Sequence, residues 1–185
     1  MPNSPPDGRV RPIVLGIDPG LTICGWGVVE GGPSPRYIGA GAIRPKAGDP
    51  ITRRLLHIHD ALAAVISEYA PEEVAIEEPF VGAIQPRSAL AIGQARAAAV
   101  LAAARSGLPV SFYAPAAVKT AVSGYGQGDK RQVQTMVRLL LGLDADPEPF
   151  DAADALAIAL THLSNRAAAR MAAETGRPRT RALRR

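Results

Sequence analysis

One cysteine, Cys24, is present in 185 residues, so no disulfide can form within the chain. That excludes a small cross-linked scaffold and fits a reducing, cytoplasmic setting. Long apolar runs are also missing. The longest, Ala97 to Ala104, is well short of a membrane span. Met1 to Arg9 contains no apolar h-region and does not read as a signal peptide. No internal repeat is visible. The three histidines do not cluster. His57 and His59 are two apart and off a common helix face, and His162 has no His or Cys nearby. They read as structural or solvated, with no zinc site expected.

What is present suffices for one packed domain. Hydrophobic residues make up 47% of the sequence, which argues for a globule and against disorder. A chain of this length buries roughly 70% of its extended surface and needs no staples. The formal charge of +4 is unevenly placed. Seven of the 21 basic residues and one of the 17 acids fall in 166–185, so the rest of the chain is slightly acidic. The expected organisation is a loose Pro-rich segment over 1–12, a single domain over 13–165 and a partly disordered basic arm over 166–185. Such arms reach for nucleic-acid phosphates or simply aid solubility, and charge alone does not choose.

Ile13 to Asp18 reads as a buried strand, stopped by Pro19 and Gly20. Cys24 to Glu30 and Arg36 to Ile43 read as two more, joined by the turn-rich Gly31 to Pro35. Three consecutive strands suggest an antiparallel meander, with Gly39 and Gly41 weakening the third. An amphipathic helix is expected over Pro50 to Tyr69, with Leu55, Leu56, Ile58, Leu62, Val65 and Ile66 as its stripe. A short strand, Val74 to Glu77, precedes a helix from about Pro86 to Arg105. The second half of that helix is apolar on every side, which implies burial all round or an oligomer interface. Val110 to Tyr113 reads as a strand and Ala116 to Val122 as a short helix. Asp129 suits the N-cap of a helix to about Leu141, and a last helix runs from Phe150 into the arm. The pattern is an α/β fold, a mixed five-stranded sheet with helices on both faces.

Four acids are placed for chemistry. Asp18 ends a strand just before a sharp turn, which leaves its carboxylate at a sheet edge or crevice. A turn-capping Asp gives the same pattern. Glu77 and Glu78 follow the fourth strand. Neighbours on a strand point to opposite faces, so at most one enters a shared site, and spacing does not say which. Asp151 and Asp154 are three apart on one helix face, in the first turns, where the helix dipole favours carboxylates. Capping and dipole matching explain that as well, but Asp154 leads into the apolar run Ala155 to Leu160, where an acid usually has a partner. Gathered carboxylates cost free energy unless neutralised, and Mg²⁺ or Mn²⁺ prefers such oxygens. That combination points to phosphoryl-transfer chemistry.

Taken in order, several stretches resemble the RuvC family of Holliday-junction resolvases, within the ribonuclease H-like superfamily. They are Leu15-Gly16-Ile17-Asp18-Pro19-Gly20 with Gly25-Trp26-Gly27, Ala75-Ile76-Glu77 with Phe80, and Gly93-Gln94-Ala95-Arg96. Further along come Lys130-Arg131-Gln132-Val133-Gln134 with Met136-Val137-Arg138, and Asp151 to Ala159. The resemblance runs from about Ile13 to His162. It implies a ribonuclease H-like fold. It also implies a metal-dependent endonuclease that resolves four-way junctions by paired nicks in recombination and repair, leaving 5′-phosphate and 3′-hydroxyl ends. The catalytic and metal-binding acids carry over onto Asp18, Glu77, Asp151 and Asp154, which selects Glu77 over Glu78. Some family members have His where this chain has Asp151. Phe80 matches an aromatic that inserts at the crossover, where base stacking is worth roughly 1–3 kcal/mol. Lys119 and Lys130 match basic residues near the site and the DNA. Both are expected near helix starts, where a cation opposes the dipole, and that misfit favours a functional role. Arg131, beside Lys130, and Tyr125, in a Gly-rich loop, are further candidates for DNA contact.

The resemblance further implies two Mg²⁺ or Mn²⁺ ions about 4 Å apart, with Asp18 shared between them. Two such ions balance four carboxylates, and without them at least one carboxyl should titrate high. The implied partners are the four-way junction, a second copy in a C2 homodimer and the RuvAB branch-migration complex, with no membrane. Two alternatives stand beside this reading. One is a non-catalytic junction-binding module with a decayed site. The other is a sugar-kinase or actin-like ATPase, suggested by Asp18-Pro19-Gly20-Leu21-Thr22 and opposed by the single-domain length and the lack of a second phosphate loop.

Overall fold

Strand β1 (Ile13–Asp18) is the middle of a five-stranded sheet. On one side β2 (Cys24–Glu30) pairs antiparallel with it, and β3 (Arg36–Ile43) antiparallel with β2. On the other side β4 (Glu73–Glu77) runs parallel to β1, and β5 (Val110–Tyr113) parallel to β4. The order β3-β2-β1-β4-β5 makes the mixed sheet that the sequence implies. The computed structural model describes residues 11–78, 86–124 and 129–175.

Helices α1 (Ile51–Tyr69) and α2 (Pro86–Arg105) cover one face, and α3 (Pro115–Ser123), α4 (Lys130–Leu141) and α5 (Phe150–Thr175) the other. Period two along the strands sorts the core. Leu15 and Ile17 pack with Ile58 and Leu62 of α1 and with Ala95 and Ala99 of α2. Val14 and Ala75 pack with Val133 and Val137 of α4 and with Leu156 and Ile158 of α5.

Three glycines let α5 lie on bare backbone. A Cβ on Gly16 would come within 2.0 Å of Ala155 O, one on Gly25 within 2.0 Å of Asp151 O, and one on Gly27 within 2.8 Å of Leu156 N. Gly39 and Gly41 do not break β3. They make room for an aromatic pair, because Cβ atoms there would sit 3.0 Å from the Tyr69 ring and 2.9 Å from the Trp26 ring. Those two rings lie 5.5 Å apart.

Two helices differ from the expected pattern. Leu56 of α1 is 58% exposed, because the buried row Ile58, Leu62, Val65 and Ile66 continues back through Leu55, about 100° around the helix from Leu56. In α2 only one face is buried, with Ala98, Ala99, Ala102 and Ala103 inward. Ala97, Leu101 and Ala104 are exposed, as is Leu90. Residues 164–173 of α5 are all exposed, and the helix carries the first ten residues of the basic arm. Among the described residues no helix is long and apolar enough to cross a membrane.

Candidate active site

Parallel register pairs Ile17 with Ile76, so Asp18 and Glu77 stand side by side at one end of the sheet. Strand parity with Gly16 and Ala75 turns both toward α5. Glu78 falls on the other side, where Arg96 of α2 pairs with it at 3.2 Å and lies 4.6 Å over the Phe112 ring. Parity therefore makes the choice that spacing left open. Asp151 and Asp154 come from the first turns of α5, held close to the same sheet end by Gly16 and Gly25.

The electrostatics are those of buried acids gathered with too little counter-charge. Asp18 is pushed from an ordinary 3.8 to about 7, first by burial and then by Asp154 and Asp151, against the pull of Lys130. Glu77 is likewise pushed to about 7 by burial, then Asp18 and Asp154, with Lys130 and Lys119 opposing. Asp154 is raised by burial, although Lys130 Nζ lies 3.4 Å from its Oδ2. Lys130 is raised in turn, chiefly by Asp154.

Convergence is incomplete. Among the described residues no group of three His, Cys, Asp or Glu side chains is arranged to hold a metal ion as it stands. The acids nonetheless share one end of the sheet, near enough for Asp154 and Asp151 to act on Asp18, and for Asp18 and Asp154 to act on Glu77. The donor set still fits a hard cation, since every donor is a carboxylate oxygen. Cys24, on β2, is no competitor: burial pushes its thiol up to about 12, so it stays protonated.

The remaining sequence candidates divide. Lys130 is the first residue of α4, behind Asp129, whose carboxylate accepts from Gln132 N at 2.8 Å. Lys119 is near enough to act on Glu77 and Asp154. It is not at a helix start, however. Pro115 opens α3, which puts Lys119 mid-helix, so the dipole misfit applies to Lys130 alone. Arg131 is exposed on the same turn as Lys130. Phe80 and Tyr125 lie outside the described residues.

His162 is buried and structural. Tyr113 OH donates to its Nδ1 at 2.8 Å, and its Nε2 donates to Glu73 Oε2 at 2.6 Å. Arg166 pairs with the other Glu73 oxygen. Burial lowers the His162 pKa, and a neutral ring with the proton on Nε2 satisfies both partners. His57 is exposed, and His59 lies 2.8 Å from Asp60.

Sequence reasoning assigned no role to three polar side chains, two of which, Gln134 and Arg138, stand in a matching stretch. Arg54 of α1 donates from Nη2 to Leu21 O at 2.8 Å, fixing the loop that follows Asp18. Its signal was an arginine in register with Ile58 and Leu62 of the buried stripe. Gln134 and Arg138 of α4 bind the loop that leads into α5. Their signal was the four-residue spacing from Lys130.

The family described as crossover junction endodeoxyribonuclease RuvC matches residues 14–162. The crossover junction endodeoxyribonuclease RuvC of Chloroflexus aggregans is 52% identical over 149 residues, covering 80% of this chain and 90% of that protein. The protein of the same name from Dehalococcoides mccartyi is 48% identical over 162 residues, covering 87% and 98%. Among solved structures, Thermus thermophilus RuvC in complex with a Holliday junction substrate superposes with a TM-score of 0.78 at 40% identity, covering 87% of this chain and 96% of that one. The yeast mitochondrial Holliday junction resolvase Ydc2 shares the fold at 10% identity and a TM-score of 0.64.

Proposed function

The chain belongs to the RuvC family of crossover junction endodeoxyribonucleases, and from that premise we propose that it resolves four-way DNA junctions by paired, metal-dependent nicks in recombination and repair. One observation carries the reading to the atoms. Asp18 and Glu77, side by side at one sheet end and close to Asp151 and Asp154, hold protons up to about 7, first because they are buried and then because their neighbours are acids that Lys119 and Lys130 offset only in part. Membership of this family also sets aside the sugar-kinase and actin-like alternatives.

In this proposal Asp18, Glu77, Asp151 and Asp154 hold Mg²⁺ or Mn²⁺, two ions per site. Bound there, such ions supply Lewis-acid polarisation of the scissile phosphate and stabilise charge on the attacking and leaving oxygens. The residues of the chain prepare that site. Lys119 and Lys130 favour the ionised carboxylates and present positive charge to the DNA backbone. Phe80, Tyr125 and Arg131 are further DNA contacts, with Phe80 stacking on a base at the crossover. Arg166 follows Asp154 by twelve residues of continuous helix, about 18 Å along its axis. The basic arm would therefore meet phosphates well away from the one being cut.

The partners follow. A junction with near two-fold symmetry calls for two matched sites, which a C2 homodimer supplies. The outward row Leu90, Ala97, Leu101 and Ala104 on α2 supports a place for its interface, because Leu90 and Leu101 are 65% and 59% exposed in the single chain. The RuvAB branch-migration complex and a cytoplasmic setting belong to the same proposal.

The test is nicking of a labelled four-way junction beside linear duplex of the same sequence, with Mg²⁺, Mn²⁺ or EDTA. Symmetric cuts confined to the junction and absent in EDTA are expected. Junction binding without cuts in either metal would favour a binding module instead.

A further inference from the structure

One face of α4 carries three polar side chains at four-residue intervals, and each grips a different point on the approach to α5. Lys130 reaches Asp154, with Nζ 3.4 Å from Oδ2. Gln134, only 6% exposed, donates from Nε2 to Pro147 O at 2.8 Å. Arg138 donates from Nε to Asp146 Oδ1 at 2.9 Å. Residues i, i+4 and i+8 lie in a row, so a single straight helix face holds residues 146–154 at three heights. A buried amide is costly unless it is hydrogen-bonded, and this one is committed to a loop carbonyl.

The loop so held begins the helix that carries two of the four acids. Ala152 N and Ala153 N donate to Pro149 O at 2.9 and 3.3 Å, closing the first turn around Asp151. The opposite side of that turn has no slack, since a Cβ on Gly25 would strike Asp151 O at 2.0 Å. The backbone of Asp151 is thus fixed between β2 beneath it and a loop that α4 holds from the side.

From this geometry we infer that Gln134 and Arg138 are positioning residues for the metal site. They would act through the loop that leads into α5 and not as ligands themselves. They set the height at which Asp151 and Asp154 face Asp18 and Glu77, and so the affinity of the carboxylate set for its cations. The inference rests on the proposed role of those four acids.

The experiment uses Gln134→Met, which keeps the side chain's length and removes its donor, and Arg138→Met, which removes a more exposed grip. Mn²⁺ binding to the free protein is measured by calorimetry. The Mg²⁺ dependence of junction cutting, junction binding in EDTA and Tm are measured beside it. Loss of a group that orients a metal ligand typically weakens metal affinity about 10-fold or more. Gln134→Met should raise the Mn²⁺ Kd and the Mg²⁺ half-saturation by about 10-fold, and Arg138→Met by about 3-fold. Cutting at saturating Mg²⁺ and junction binding in EDTA should stay within about two-fold of wild type. Unchanged metal affinity in the folded variants overturns the inference, as does a loss confined to Tm. If Gln134→Met does not fold, Arg138→Met decides by the same criteria. Asp18→Asn is the control for the premise: if it binds Mn²⁺ as tightly as wild type, the site assignment has failed, and the positioning role falls with it.

Discussion

Strand β4 carries two glutamates, Glu73 and Glu77, four residues apart and turned to the same side, and their surroundings are opposite. Glu73 meets His162 Nε2 at 2.6 Å and is paired with Arg166. Glu77 is pushed to about 7, first by burial and then by Asp18 and Asp154. At one end of the strand the chain neutralises its own acid. At the other it gathers acids, and among the described residues Lys119 and Lys130 act against them. Residue type, strand and face are held constant, so what separates the two glutamates is the charge their neighbours supply, added to the burial that raises Glu77 first.

The sharpest way to break that comparison is a pair of substitutions. Asp18→Asn should reduce junction cutting by roughly 10³-fold or more, as removal of a central electrostatic element does. It should raise the Tm of the metal-free protein and leave junction binding unchanged or tighter. Glu73→Gln should do the reverse, lowering stability by about 1–3 kcal/mol while cutting persists. Cutting assays beside thermal melts check both. Loss of cutting in a folded Glu73→Gln protein would erase the distinction between the two ends.

Gly25→Ala separates position from charge. It adds no charge, yet its Cβ would overlap Asp151 O and must displace the start of α5. Overpacking of this kind costs about 1–3 kcal/mol, and cutting should fall by more than that stability loss explains. Comparing cutting with the fraction folded tests this. Wild-type cutting would mean that the height of α5 is not critical.

Smallest in effect is the response to pH, where the two ends should pull in opposite directions. Asp18 and Glu77 bind protons more tightly folded than unfolded. Their contribution to metal-free stability is therefore full below about pH 4 and lost as pH rises through about 7. His162, held below its ordinary value, supports the fold at neutral pH, and that support is lost as pH falls through its lowered pKa. Melting the metal-free protein from pH 5 to pH 8 should show a falling Tm that saturating Mg²⁺ flattens. Glu77→Gln should flatten it in part without metal. An identical slope with and without Mg²⁺ would count against the acids as the cation site.

Most of the fold was legible because its punctuation is local. Pro19 and Gly20 stop β1, Gly31 to Pro35 turns the chain, and Asp129 caps α4, each within a few residues of what it controls. The places of Asp18 at a strand end and of Asp151 and Asp154 on the first turns of a helix could be read in the same way. Choosing Glu77 over Glu78 from physics needed the sheet, because parity has meaning only once the faces are assigned. Lys119 was read as near a helix start although the expected helix, Ala116 to Val122, already has it at the centre, and α3 has it fifth of nine residues. The Glu73–His162 contact spans 89 residues of sequence and has no local signature at all. Gly16, Gly25 and Gly27 were visible as a motif, but their purpose, clearance for α5, appears only when the helix is laid on them.

Those three glycines also bear on how this protein tolerates mutation. Every single-nucleotide change that takes a glycine codon to another amino acid adds a side chain, and none removes an atom. Gly16 and Gly25 leave 2.0 Å for that first carbon, against the backbone that carries Asp151 and follows Asp154. A large core residue has smaller neighbours in the genetic code through which a lineage can drift. These positions have none, so the region beneath α5 is a one-sided constraint, in which the first step away already disturbs the acids.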